Sequence, residues 1–222
     1  MSDCIEYYSD ERTTLWHGDA TTTLATLEAG SVDCIVTSPP YFGLRDYGVE
    51  GQIGAESSPG DFVAALVAVF REARRVLADD GTLWLNLGDS YVGNANSGGA
   101  SKPRPGPHGM ATEMFRISGL PPKRGAPPKN LLGIPWRVAF ALQDDGWILR
   151  NDIIWMKDNP MPESVKDRCA RCYEHIFLFS KSKKYFFDYK AISEPIAPAT
   201  AERLKRGMKG GNKYGKPVPG QP

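Results

Sequence analysis

The stretch Val36-Thr37-Ser38-Pro39-Pro40-Tyr41 is decisive for the fold, because it joins the end of a predicted strand to a rigid turn. Residues 31–37 are apolar and β-branched, which predicts a buried parallel strand. Two prolines end this strand, since neither can donate to a ladder and each fixes its own φ. The turn therefore presents a hydroxyl, a carbonyl and an aromatic ring at the carboxyl edge of a sheet, where α/β folds place their functional sites.

Strands and helices alternate on both sides of this turn, which predicts an α/β domain. The segment Asp61–Leu77 has apolar residues at helical spacing, and Asp61 is a suitable N-cap for it. Two short segments near the carboxyl end, His175–Phe179 and Lys184–Phe187, predict an antiparallel hairpin. The other predicted strands cover 13–17, 82–87 and 147–156, and the other predicted helices cover 20–27 and 134–144. Asp79-Asp80-Gly81 is predicted to be the turn between the helix ending at Leu77 and the strand 82–87.

Composition divides the chain into four regions. Residues 1–91 and 131–190 contain the predicted α/β elements. Residues 92–130 hold seven Gly and seven Pro without a sustained period, which predicts a long insertion. Residues 191–222 lose apolar periodicity and are predicted to be a basic tail, which could begin a target-recognition region.

Charge is distributed unevenly although the formal net charge is only +1. Residues 91–130 and residues 201–222 each carry six Lys or Arg against one Glu, so the rest of the chain is acidic. Two basic segments on an acidic body favour contact with nucleic-acid phosphates, and solvated basic loops are the alternative. The candidate DNA-binding residues are Lys102, Arg104, Lys123 and Arg124.

The ends and the cysteines predict a cytoplasmic protein. The amino terminus is polar with no apolar signal segment after it, and no stretch is long enough to span a membrane. Cys169 and Cys172 have the spacing of half a zinc site, but no second ligand pair follows at suitable spacing. We therefore expect reduced thiols and no metal.

Several motifs in the same order resemble the amino-methylating DNA methyltransferases, which modify cytosine N4 or adenine N6. The Ser38–Tyr41 tetrapeptide matches the catalytic Ser/Asn/Asp-Pro-Pro-Tyr/Phe motif of that family. The segment 18–33 resembles the approach to that motif, and 81–91 resembles the next strand of the family. Residues 151–188 resemble the late strands, so about three quarters of the chain is covered.

The resemblance implies a Rossmann-like fold that binds S-adenosylmethionine and acts on double-stranded DNA. An exocyclic amine is a poor nucleophile because its lone pair is delocalised into the ring. In this interpretation the Ser38 side chain and the Pro39 carbonyl accept its two N–H groups, and Pro40 keeps that carbonyl rigid. Tyr41 offers a stacking face to a base rotated out of the duplex.

Other candidate residues have two interpretations each. By resemblance Asp19 approaches the adenine of S-adenosylmethionine, and as a plain residue it is a helix N-cap. Asp89 could line the pocket or cap a turn. Trp155 and Phe177 are predicted to be core residues. Four cations could reach DNA phosphates or form a solvated face: Lys157, Lys166, Arg168 and Arg171.

The chain departs from the family in lacking the Phe-x-Gly-x-Gly turn that binds S-adenosylmethionine. In one circularly permuted class that turn follows the catalytic motif and the target-recognition region, and this chain matches that order. Without the accompanying strands, the strand ending at His17 has no neighbour and sheet edges are left unpaired. We expect an incomplete, permuted sheet, either truncated or completed by a second polypeptide.

Three functions remain open from the sequence. A cytosine-N4 DNA methyltransferase is favoured over an adenine-N6 enzyme, because Ser at the first motif position is commoner among the N4 enzymes. A methyltransferase acting on protein glutamine or RNA fits Ser38 and the basic insertion less well. The third is an inactive fragment that binds DNA or a partner subunit without catalysis.

Overall fold

The computed structural model describes residues 4–92, 126–160, 162–197, 199, 200 and 202. The chain divides into two compact units, Met1–Phe186 and Phe187–Pro222. All strands and the three longer helices described here lie in the first unit. In the second unit Asp188 organises a turn, since its carboxylate accepts from the backbone N–H groups of Lys190 and Ala191.

Six strands and three helices are described, and they confirm the α/β class. The strands are β1 (Ile5–Ser9), β2 (Thr14–His17), β3 (Val32–Thr37), β4 (Leu77–Leu87), β5 (Ile148–Met156) and β6 (Tyr173–Ser180). The helices are α1 (Ala20–Thr26), α2 (Pro59–Val76) and α3 (Ile134–Asp144).

The main sheet is mixed, with the strand order β3-β4-β6-β5. β3 and β4 are parallel, whereas β6 is antiparallel to both of its neighbours. β1 and β2 form a separate antiparallel pair. The carboxyl ends of β3 and β4 and the start of β6 therefore meet at one edge of the sheet.

The core lies around β4 and β6. Leu83, Leu85 and Leu87 of β4 are fully buried, as are Phe177 and Phe179 of β6. Helices α2 and α3 contribute the other main layer of this core, with Phe62, Leu66, Phe70, Val138 and Leu142. The prediction that Phe177 is a core residue is confirmed, but Trp155 is 53% exposed on the edge strand β5, so the same prediction for Trp155 is wrong.

Helix α2 begins earlier than expected. Ser58 is its N-cap and accepts from the Asp61 backbone N–H at 3.2 Å, and Pro59 occupies the first turn, which it tolerates because it has no N–H to satisfy. Asp61 is thus a first-turn residue, where its charge favours the helix N-terminus. The prediction of Asp61 as the N-cap is wrong.

β3 pairs in parallel as predicted, but its predicted burial is wrong. Val36 is 78% exposed and Cys34 is also exposed. Val36 is paired with Trp84 and therefore lies on the opposite face of the sheet from the core residue Leu83, whereas Ile35, which is paired with Leu83, is partly buried against the core. Among the described strands β3 is paired with β4 alone. The strand ending at His17 has a neighbour, β1, so the expectation that it has none is wrong.

Two further segments differ from expectation. Residues 79–81, predicted as a turn before a strand, belong to β4 itself. Lys184–Phe187 is not a strand, and β6 takes β5 as its antiparallel partner instead. A hairpin-like antiparallel pair is therefore present, but with a partner from earlier in the chain.

The two ends of the predicted insertion lie side by side. Val92 donates from its backbone N–H to the Asn130 carbonyl at 2.9 Å, and Lys129 donates back to Val92 at 3.0 Å. Most of the segment between them lies outside the described residues, and so do Lys102, Arg104, Lys123 and Arg124. Among the described helices, none is long and apolar enough to cross a membrane.

Candidate active site

The Ser38–Tyr41 elbow follows β3 directly and is anchored from behind by Phe42. This ring is 1% exposed and packs on Phe62 of α2, with 5.4 Å between ring centroids. Gly54 approaches the Tyr41 backbone so closely, at φ +100°, that a Cβ there would lie 3.0 Å from the Tyr41 carbonyl oxygen. Gly43 closes the loop by donating to the Gly54 carbonyl at 2.7 Å. The elbow is therefore held by packing and by its own backbone.

Strand register brings Asn86 next to Ser38. Thr37 is opposite Leu85 in the parallel pair of β3 and β4, so the following residues of the two strands are neighbours. The Ser38 hydroxyl lies 3.3 Å from Asn86 Oδ1 and 3.4 Å from the Tyr41 hydroxyl. The amide Nδ2 of Asn86 donates to the His175 carbonyl on β6 at 3.1 Å.

The Tyr41 ring lies against the backbone at the end of β4. A Cβ on Gly88 would come within 2.4 Å of Tyr41 Cε2, so only glycine leaves room for the ring in this position. The Tyr41 hydroxyl has two acceptors at 2.9 Å, Asn86 Oδ1 and Glu174 Oε2. Burial raises the pKa of Tyr41 to about 12; the hydrogen bond to Ser38 opposes this rise and the Glu174 carboxylate adds to it. Tyr41 is therefore a neutral donor at physiological pH.

Glu174 begins the next polar layer behind Tyr41. Burial alone would raise the pKa of its carboxyl, but hydrogen bonds from Lys157, Tyr41 and Asn86 outweigh burial and hold it below the usual value. Lys157 at the end of β5 forms an ion pair with Glu174. The carboxylate is therefore ionised and turned toward Tyr41 and Lys157.

His175 lies beside this network on the α3 side. Its Nδ1 is 2.9 Å from Asp152 Oδ1, and its ring stacks on Phe177 with an interplanar angle of 3°. Trp136 of α3 meets the His175 ring edge-on, 5.8 Å between centroids. These contacts fix the His175 backbone, which is the acceptor for Asn86.

Asp89 follows β4 and caps α3. Its carboxylate accepts from the backbone N–H groups of Gly133 and Ile134, both at 3.0 Å. Arg171 lies close to it, donating to the Asp89 carbonyl and standing 3.8 Å from the carboxylate. The capping interpretation of Asp89 is therefore the one observed.

Asp19 caps α1. Oδ1 accepts from both the backbone N–H and the hydroxyl of Thr22, at 3.0 and 3.2 Å. No described residue bonds to Oδ2, and the residue is exposed. Asp19 is thus an N-cap with one oxygen turned to solvent, and a role in cofactor binding stays a prediction.

Three of the four cations considered for DNA contact have partners within the protein. Lys157 pairs with Glu174, and Arg168 pairs with Glu163 while lying 4.0 Å above the Tyr91 ring. Arg171 is engaged by Asp89. These three cations therefore have a structural role within the protein. Their contact with DNA phosphate stays a prediction.

The cysteines and acidic residues of the described ranges do not come together as a metal site. In the described ranges no group of three or more His, Cys, Asp or Glu could hold a metal ion. Cys169 is exposed, and the Cys172 sulfur lies 3.6 Å from the sulfur of Met156.

Asn86, Glu174 and Gly88 are site residues that the sequence analysis did not single out. Asn86 interrupts the apolar positions 83, 85 and 87 of β4 near its carboxyl end, and that interruption is a signal that was available. Glu174 is adjacent to the site only because β6 pairs with β4, with Leu87 opposite His175. That pairing was not predicted.

Comparison with known proteins gives one consistent family. The family described as DNA methylase matches residues 32–218. The Type II methyltransferase M.XycI of Xanthomonas campestris pv. cyanopsidis is 56% identical over 182 residues, which are 82% of this chain and 59% of that protein. M.SmaI of Serratia marcescens, also a Type II methyltransferase, is 48% identical over 198 residues, 85% of this chain and 63% of that protein.

A solved structure shares the fold. The PvuII DNA methyltransferase, described as cytosine-N4-specific, superimposes with a TM-score of 0.53 at 17% identity, covering 86% of this chain and 62% of that chain. The chain thus spans about three fifths of the length of these proteins. The predicted α/β methyltransferase fold is confirmed.

Proposed function

Because this chain belongs to the DNA methylase family, we propose that it transfers a methyl group from S-adenosylmethionine to the exocyclic N4 of cytosine in duplex DNA. The observation that carries the proposal is the Ser38–Tyr41 elbow at the carboxyl ends of two parallel strands, with a hydroxyl and a carbonyl held rigidly there. S-adenosylmethionine, the cofactor of this family, supplies an electrophilic methyl group when bound.

The elbow residues have the chemistry that an aromatic amine needs. Ser38 Oγ and the Pro39 carbonyl are acceptors that can take the two N–H groups of the amine. Accepting both favours a pyramidal nitrogen whose lone pair points away from the ring. Pro39 and Pro40 fix the backbone before the substrate arrives, so little entropy is lost in alignment.

Tyr41 and its surroundings suit an extruded base. The amine of a paired cytosine is engaged in the duplex, so the base has to leave the stack before it can react. The Tyr41 hydroxyl is held by Glu174 and one side of its ring lies against Gly88. A ring fixed in this way is a preorganised surface for a base.

The residues present also fit a role in holding the cofactor, although they are few. Asp19 keeps one carboxylate oxygen for an external donor while the other caps α1. The exposed side chain of Val36 adds apolar surface close to the elbow. A carboxylate and an apolar surface are the kinds of group that an adenosyl moiety contacts.

The assignment to cytosine N4 is supported by Ser38 at the first position of the motif. Asp or Asn at that position is commoner among adenine-N6 enzymes. DNA contact is supported by the basic segments, where Lys102, Arg104, Lys123 and Arg124 are proposed to neutralise phosphates.

The test is the identity of the methylated nucleoside. The 222-residue chain is incubated with duplex DNA and S-adenosylmethionine, and the digested DNA is analysed by mass spectrometry. We expect N4-methyldeoxycytidine. A Ser38→Ala chain is the matched control for a contaminating host enzyme, since it removes the proposed acceptor and leaves the rest of the surface unchanged.

Other products separate the alternatives. N6-methyldeoxyadenosine would contradict the cytosine assignment and identify an adenine enzyme. Unmodified DNA that is nevertheless bound by the chain would contradict the enzyme proposal. A second polypeptide that completes the site would then be sought by restoring methylation on its addition.

A further inference from the structure

The direction in which the Ser38 hydroxyl proton points decides whether Ser38 can accept a hydrogen bond from the substrate. A hydroxyl that accepts an N–H from a substrate amine has to send its own proton to another acceptor. If no acceptor were available, the hydroxyl proton would point at the amine and compete with the bond that the chemistry needs. The surroundings of Ser38 therefore decide whether it can act as an acceptor at all.

Among the described residues, two atoms lie within hydrogen-bonding range of Ser38 Oγ. Asn86 Oδ1 is 3.3 Å away and the Tyr41 hydroxyl is 3.4 Å away. Tyr41 has one proton, and the ionised carboxylate of Glu174 at 2.9 Å is the stronger of its two acceptors. An amide oxygen is in turn a better acceptor than a phenol oxygen, so Asn86 is the better destination for the serine proton.

The orientation of the Asn86 amide is fixed from the other side. Nδ2 donates to the His175 carbonyl at 3.1 Å. A flipped amide would set Oδ1 against that carbonyl, two acceptors facing each other, and would turn Nδ2 toward Ser38. The backbone of β6 thus holds Oδ1 toward the elbow.

We propose that Asn86 is a positioning residue that accepts the Ser38 proton and so keeps Ser38 Oγ as an acceptor for the target amine. This inference rests on the proposed function and extends it to a residue outside the Ser-Pro-Pro-Tyr motif. In this arrangement the Ser38 hydroxyl donates to Asn86 Oδ1, and Asn86 Nδ2 donates to the His175 carbonyl. The Tyr41 hydroxyl donates to Glu174. Asn86 itself does not touch the substrate.

The test is a double-mutant cycle between Asn86 and Ser38. It is run only after the wild-type chain has been shown to methylate DNA, so that failure of the proposed function is recognised first. Asn86→Leu removes the acceptor at similar volume. We expect its single-turnover methylation rate to fall roughly 10-fold with unchanged DNA affinity, the loss of about one hydrogen bond.

Two companion variants give the conservative rescue and the control. Asn86→Asp keeps an acceptor oxygen and is expected to retain more activity than Asn86→Leu. Tyr41→Phe removes the alternative acceptor but leaves Asn86 in place, so the Asn86→Leu effect should persist in that background. Thermal unfolding of each variant is followed by circular dichroism.

The deciding result is non-additivity. In a Ser38→Ala background there is no serine proton to place, so Asn86→Leu should cause no further loss of rate. If the two losses multiply, Asn86 acts through general structure and the proposal is overturned. If Asn86→Leu does not fold, the same cycle is run with Asn86→Ala, with the same two outcomes.

Discussion

β3 and β4 are parallel neighbours in one sheet, yet they have opposite environments. On β4, Leu83, Leu85 and Leu87 are completely buried, whereas Val36 of β3 is 78% exposed. Both segments are apolar in sequence. The difference arises because Val36 is paired with Trp84 and so lies on the other face of the sheet from Leu83 and Leu85, which belong to the core. Ile35, which is paired with Leu83, is partly buried against that core although it is also on β3. The burial of a strand position is thus set by what packs on its face of the sheet, and the composition of the strand does not show it.

The largest expected effect comes from shortening the buried strand. Leu85→Ala should lower the free energy of unfolding by about 2–5 kcal/mol, because it removes buried apolar contacts and leaves a cavity. Val36→Ala, a truncation on the exposed face of β3, should alter it by less than about 0.5 kcal/mol. Urea unfolding followed by circular dichroism measures both. Equal losses in the two variants would mean that β3 is covered in solution.

A medium effect is expected where the two strands meet the elbow. Gly88→Ala places a Cβ against the Tyr41 ring, 2.4 Å from Cε2, so the ring has to move. We expect a loss of about 1–3 kcal/mol, the usual cost of overpacking. Gly60→Ala is the control, because its Cβ would meet only Ser58 Oγ at 3.7 Å. A Gly88→Ala chain as stable as the Gly60→Ala chain would contradict the packing of Tyr41.

The smallest effect is a pH dependence of stability at Tyr41. Its pKa is about 12 in the folded chain and near 10 when unfolded. Below pH 10 both states are protonated and stability does not change. Between pH 10 and 12 the unfolded phenol ionises first, so stability falls as pH rises.

Tyr41→Phe isolates this contribution, since the other tyrosines are unchanged. The free energy of unfolding of the wild-type chain should fall more steeply than that of the variant from pH 10 to 12. Parallel curves for the two chains would show that Tyr41 is not buried beside Glu174.

Elements whose formation depends on local sequence were predicted correctly. The helices α2 and α3, the strand β3 and the elbow were predicted from periodicity, capping residues and prolines, and the comparison with β4 confirms the parallel pairing. Gly81 was misinterpreted as a turn residue. Glycine is needed there because the Asp33 backbone and the Leu77 side chain pack close to it. A Cβ at Gly81 would lie 2.9 Å from the Asp33 carbonyl oxygen and 2.8 Å from the Leu77 side chain.

What the sequence could not predict depends on contacts between distant segments. Asn86 and Glu174 reach the elbow through strand register, the first from β4 and the second from β6. The exposure of Val36 depends on what packs against its face of the sheet. Neither is encoded in the spacing of residues within one segment.

The catalytic role proposed for Ser38 is tested by single-turnover methylation of duplex DNA with the wild-type and Ser38→Ala chains, with DNA affinity measured for both. Ser38 is proposed to hold the reacting amine, so its loss should lower the rate by about 100-fold or more while DNA affinity stays the same. Equal rates in the two chains would contradict the assignment of the Ser38–Tyr41 elbow as the catalytic site.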